Sequence, residues 1–133
     1  MFKSKAKRLI DGQWVFGYPV PLSGGTYIIT PRRDTDIYNI QMHVHPVDSD
    51  TVCMDSGKVD VANQVIYQSD IIEWKETPNS PLKIDHVVYV NGVFKLNDFR
   101  TLHYITSCHY FRVVGNIHDK KYKGWFNTDK YRL

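Results

Sequence analysis

Bulky and small or polar residues alternate in short runs along this chain. No stretch places apolar residues three and four apart over three turns, so the pattern predicts strands and no long helix. Gln13-Trp14-Val15-Phe16-Gly17-Tyr18-Pro19-Val20 alternates after the turn pair Asp11-Gly12. It is expected to form a hairpin with Lys5 to Ile10 and to stop at Pro21. Ser23-Gly24-Gly25 predicts the next turn, and Thr26 to Thr30 a strand ended by Pro31. Ile37 to His45 alternates again, with Ile37, Asn39, Gln41, His43 and His45 on one side and Tyr38, Ile40, Met42 and Val44 on the other, closed by Pro46.

Beyond the polar Asp48-Ser49-Asp50, strands are predicted over Val61 to Tyr67, Asp70 to Glu73 and Ile84 to Val90. Asn91-Gly92 is a hairpin signal that turns the last of these back into Val93 to Leu96. His103 to Thr106 and Tyr110 to Val114 complete the strands, with one helical turn expected within Asn97 to His103. Strands about ten residues apart, divided by turns, argue for a barrel or roll over an α/β sheet. The expected core comprises Trp14, Phe16, Ile28, Ile40, Ile66, Ile71, Val87, Tyr89, Phe94, Val113 and Ile117.

Composition narrows the class. At 133 residues there is room for one body or two small subdomains, and 42% hydrophobic with 23% charged residues is a globular mixture that excludes disorder, collagen and coiled coil. The longest apolar runs, such as Val87-Val88-Tyr89-Val90, fall far short of the roughly twenty residues of a membrane helix. Lys3, Lys5, Lys7 and Arg8 precede no apolar segment of the secretory kind, so the expected address is the cytoplasm. There, Cys53 and Cys108 are expected as reduced thiols. A net charge of +3 permits nucleic-acid binding without calling for it.

Several groupings could carry chemistry. His43 and His45 share a strand face by period two, and with Cys53, His103, Cys108 and His109 they are metal-ligand types. Zinc sites come as two closely spaced ligand pairs of the Cys-x-x-Cys or His-x-x-x-His kind, whereas the adjacent Cys108 and His109 fall on opposite strand faces. No metal or other cofactor is therefore assigned. His45 with Asp48 or Asp50, or Cys108 with His103, could pair a base with a nucleophile, but no nucleophile elbow or phosphate loop accompanies them. No enzyme is assigned. Arg32 and Arg33, with Lys120, Lys121, Lys123 and Trp125 near the C-terminus, are the candidate nucleic-acid contacts: the cations meet phosphates and the indole stacks on a base. Asp34 and Asp36 weaken the first patch, and a tail packed by Trp125 and Phe126 accounts for the second without a ligand.

Three blocks of sequence resemble YopX-family proteins of phages and prophages of Gram-positive bacteria. The first is Phe2-Lys3-Ser4-Lys5-Ala6-Lys7-Arg8-Leu9 followed by Asp11 to Tyr18. The second is Thr51-Val52-Cys53 with Ser56-Gly57, leading into Ile66-Tyr67-Gln68-Ser69-Asp70-Ile71-Ile72. The third is Val113-Val114-Gly115-Asn116-Ile117. This chain departs from the family at Gly57 to Gln64, where a Gly-Leu-x-Asp-Lys-Asn-Gly turn is usual, and at Gln68-Ser69, where Glu-Gly is usual. The resemblance implies an SH3-like barrel in the second half and supplies no catalytic residue.

The combined expectation is an all-β protein, with an N-terminal β-sheet unit over residues 1–54 followed by an SH3-like barrel with a C-terminal extension over 55–133. It is expected to act in the host bacterial cytoplasm as a non-enzymatic phage or prophage accessory protein that binds a host or phage protein, with no membrane. Weak nucleic-acid binding is the alternative, and exposed strand edges suggest self-association.

Overall fold

Period-two alternation becomes an antiparallel, mostly β structure, and the all-β expectation holds. The computed structural model describes residues 3–32, 41–98 and 100–125. Arg33, Asp34, Asp36, Ile40, Phe126 and most of the Ile37 to His45 alternation lie outside them. The strands are β1 Ser4–Lys7, β2 Trp14–Leu22, β3 Gly25–Arg32, β4 Gln41–Val47, β5 Cys53–Val59, β6 Val65–Tyr67, β7 Asp70–Lys75, β8 Lys83–Val90, β9 Val93–Leu96 and β10 Tyr110–Asn116. Hydrogen bonding orders them β4-β3-β2-β1-β5-β6 in one sheet and β10-β7-β8-β9 in the other. Neither order closes on itself among the described residues. The chain divides into two compact units, Met1–Asp55 and Ser56–Leu133, with the boundary inside β5.

In the first unit the prolines do not end strands as expected. β2 runs through Pro19 and Pro21 to Leu22, β3 includes Pro31, and β4 includes Pro46. The reason lies in the pairing. β1 covers only Trp14 to Gly17 of β2, so beyond Gly17 no strand on that side requires the N–H that Pro19 and Pro21 lack. Pro46 sits on the edge strand β4. Ala6, Ile28 and Val47 form the small buried core, flanked by Val15 and Val52.

That core uses the less apolar face of the sheet. Register places Ile28 opposite Pro19 and His45, whereas Tyr18, Ile29 and Val44 stand in one row on the other face, and Val20, Tyr27 and Pro46 in the next. Phe16, expected in the core, is 40% exposed on that outer face.

In the second unit Ile66, Ile72, Trp74, Val87, Leu96, Leu102, Ile105, Phe111 and Val113 form the core, with Phe94 and Cys108 packed against it. Ile71 is also buried, Ile117 half-buried, and Tyr89 exposed. Asn91 and Gly92 both take positive φ, +53° and +81°, which joins β8 to β9 in a two-residue hairpin. His103 to Thr106 does not form the expected strand. Thr101 Oγ1 accepts the Tyr104 N–H, capping a short helix, α1 Leu102–Ile105, that buries Leu102 and Ile105 three residues apart.

Two buried aspartates replace strand pairing at the corners. The Asp60 carboxylate accepts the N–H groups of Ala62 and Gln64, each at 2.9 Å, and of Val113 at 3.0 Å. This shortens the expected Val61 to Tyr67 strand to β6 and ties the end of β5 to β10, where Val61 N–H also donates to Phe111 O. Asp70 accepts the Tyr67 N–H and the Asn116 side-chain amide, fixing the Ser69-Asp70 corner, where Ser69 has φ +71°.

Candidate functional site

Three segments of the second unit meet around a groove of about 390 Å³, within the range of ligand clefts. Ser56 and Lys58 come from β5, Gly92, Val93 and Phe94 from the β8–β9 hairpin, and Thr101, Leu102 and His103 from the start of α1. Each segment is placed by a local feature: Gly57 at φ +79°, the Asn91-Gly92 turn, and the Thr101 cap. Leu102 is buried in the floor, Phe94 packs on the core, and Tyr89 supports Phe94 at 4.9 Å between ring centroids.

The hydroxyls of the groove are engaged within it. Ser56 Oγ accepts the Lys58 N–H and Thr101 Oγ1 the Tyr104 N–H. Lys58 Nζ and the His103 ring have no hydrogen-bond or ion-pair partner among the described residues, and no carboxylate lines the groove. The site thus joins an apolar floor to a cationic rim. None of it is singled out as a set in the sequence, because its residues come from three separated segments; for chemistry only His103 is noted there, as a metal-ligand type and as a base for Cys108.

The sequence-derived candidates disperse. His43 and His45 do share a face of β4, their rings stacked with centroids 6.1 Å apart, and no group of three metal-ligating side chains occurs among the described residues. Burial, with the nearby Arg8 and His43 charges, pushes the His45 pKa down. Asp48 is committed to a 3-10 turn, Ser49–Thr51, where its carboxylate accepts the Asp50 N–H. Cys53 is buried and Cys108 half-buried, and neither is in a disulfide.

The Cys108 thiol donates to Tyr104 O at 3.6 Å, and burial, aided by Glu76, raises its pKa. A raised pKa keeps the group a neutral thiol, the opposite of an activated nucleophile. Iodoacetamide is therefore expected to alkylate Cys108 several-fold more slowly than a free cysteine at pH 8, with the rate climbing only at higher pH. A rate equal to that of free cysteine would restore Cys108 as a nucleophile. The same sign makes this thiol's contribution to stability present at neutral pH and lost as pH rises through the folded pKa.

Of the basic candidates, Arg32 ends β3 in the first unit, and Arg33 lies outside the described residues. Lys120 and Lys121 open a 3-10 turn, Lys120–Tyr122, and Lys123 follows it, all three exposed. The turn is anchored by Tyr122, which is buried: its ring lies against Gly115, and its hydroxyl donates to Val114 O at 3.3 Å. Trp125 meets the Tyr122 ring edge-on at 5.0 Å and stays 60% exposed, so the tail is packed by Tyr122 and not by Trp125.

One solved structure, protein EF1440 from Enterococcus faecalis, is similar to this chain with a TM-score of 0.58 and 14% identity, covering 87% of this chain and 92% of that one. At that identity the likeness concerns the fold alone. No protein-family model matches the sequence, and no curated protein does.

Proposed function

We propose that this is a non-enzymatic accessory protein of a phage or prophage, a divergent YopX-family member that binds peptide segments of a partner protein in the host cytoplasm. The carrying observation is the groove of the second unit, with Val93, Phe94 and Leu102 below and, at the rim, Lys58 and His103, which find no partner among the described residues. A large apolar side chain fills the floor, and a neighbouring carboxylate meets Lys58. The SH3-like barrel belongs to the same reading. Its support is the β7–β8–β9 meander, the single helical turn before β10, and the Asp60–Val113 tie between the end of β5 and β10.

The test is a titration of the whole chain with the capped dipeptides acetyl-Asp-Phe-amide and acetyl-Asn-Phe-amide, followed by amide chemical shifts. The acidic peptide is expected to move Gly92, Val93, Leu102 and His103 at millimolar concentration and to bind about 2–5-fold more tightly than the neutral one, the value of one exposed charged contact. Lys58→Gln should erase that difference. Absence of shifts at these residues for both peptides would sink the reading.

A second reading, nucleic-acid binding, rests on Lys120, Lys121, Lys123 and Trp125 being exposed on one anchored segment. Single-strand affinity should then fall with salt at a log-log slope of roughly −2 to −4. Replacing the three lysines by Ala should flatten the slope by about two, at roughly 0.7 per phosphate contact. Trp125→Ala should weaken binding and keep the slope. An oligonucleotide that is not retained at low salt rules this reading out.

A further inference from the structure

Every polar side chain that lines the groove of the second unit has a proton to give. Ser56 Oγ accepts the Lys58 N–H at 3.2 Å and Thr101 Oγ1 the Tyr104 N–H at 3.1 Å, so each hydroxyl has a lone pair engaged and its own proton available. Neither hydroxyl donates to a described residue. Lys58 Nζ donates only, and the His103 ring carries at least one N–H in either protonation state. The backbone adds a further donor. Leu96 N–H points away from β8 and donates to Arg100 O at 2.8 Å, and period two turns the Phe94 N–H to that same side. No Asp or Glu is among the lining residues, and Val93, Phe94 and Leu102 supply an apolar floor.

We infer that this groove takes the C-terminal end of a partner chain, with the free α-carboxylate on the donors and the last, large apolar side chain on the floor. This deepens the peptide-binding function proposed above, on which it rests, by naming the part of the partner that is bound. Charge and hydrogen-bond complementarity support it. A carboxylate accepts only, through two oxygens with about four lone-pair sites, so it matches a set of donors without leaving a proton facing a proton. Lys58 supplies the counter-charge, and no acid in the groove repels the ligand.

Geometry selects a terminal carboxylate over one on a side chain. In an extended segment adjacent side chains point to opposite sides, so an internal acid beside an apolar residue turns one of the two away from the groove. At a chain end the carboxylate and the apolar side chain leave the same Cα, and both enter one concavity. The size agrees, for about 390 Å³ lies near the small end of ligand clefts and suits a chain end better than a segment that runs through.

Amide shifts of the full chain test it with three peptides: acetyl-Asn-Phe with a free carboxyl terminus, acetyl-Asp-Phe-amide and acetyl-Asn-Phe-amide. The first two carry the same single negative charge, so net charge does not separate them. The free acid is expected to bind about tenfold more tightly than the neutral amide, the value of a carboxylate on more than one charge-assisted donor, and at least twofold more tightly than the acidic amide. It should also move the Phe94 amide further than either amide peptide does. Ser56→Ala removes one donor, keeps Lys58, and should weaken the free acid about threefold while leaving both amide peptides unchanged. A free acid that binds no more tightly than acetyl-Asp-Phe-amide overturns the inference and leaves the peptide reading standing, as does an equal loss for all three peptides in Ser56→Ala. Shifts from none of the three overturn both.

Discussion

Asp60→Ala is expected to cost about 1–3 kcal/mol, a sizeable share of the roughly 5–15 kcal/mol that holds a domain of this size together. The carboxylate is nearly buried and accepts three backbone N–H groups, so its loss has unequal consequences. Ala62 and Gln64 are exposed, and water replaces the aspartate on their N–H groups at little cost. Val113 is buried in β10, and its N–H is left without an acceptor in the core. Asp60→Asn keeps one oxygen and should lose about half as much. Urea unfolding reads the energy, and amide exchange at Val113 reads the mechanism: it should accelerate in Asp60→Ala before that at Ile72 or Val87. A loss below about 1 kcal/mol would mean that the β5–β10 tie carries no stability.

How far such features are legible in the sequence depends on whether their cause is local. The Asp11-Gly12 and Asn91-Gly92 turns were read correctly because their backbone needs are met by two adjacent residues. Strand β5 is not legible because Asp55, Ser56, Gly57 and Lys58 have low β-propensity, and the strand is held by its neighbours in the sheet, β1 at Cys53 and Met54 on one side and β6 on the other. α1 was misread as a strand because four residues show no period, and the Thr101 cap decides the matter.

Burial was the least legible property. Period two sorts residues onto two faces but does not say which face is covered. In β2 the larger apolar residues share the parity of Phe16 and Tyr18, and the fold buries Gly17 and Ile28 on the other side. Tyr89 fails for a related reason: as a neighbour of Phe94 on the β8–β9 hairpin, it buttresses the groove and not the core.

Gly17→Ala is expected to destabilise the first unit by about 1–3 kcal/mol, the range for overpacking a tightly packed site. Gly17 is buried at the point where β2 passes from β1 to β3, pairing Ser4 on one side while Tyr18 begins the β3 register. The sheet is drawn tight there, for Thr30 Oγ1 donates to Phe16 O at 2.5 Å. A Cβ at Gly17 would run into the carbonyl oxygen of Ile29 and stand 2.9 Å from Ile28 Cγ2, so β3 backbone and the central core residue must both shift. Its φ is not in the left-handed region, so the cost is steric and separable from backbone strain. Gly25→Ala makes the control: Gly25 lies at the start of the neighbouring strand β3, has open space where Cβ would go, and should be neutral or stabilising by up to about 1 kcal/mol through the unfolded chain. Denaturant midpoints of the two variants, compared at equal protein concentration, decide the matter. Equal effects would show that the close approach of β3 to Gly17 is not a feature of the fold.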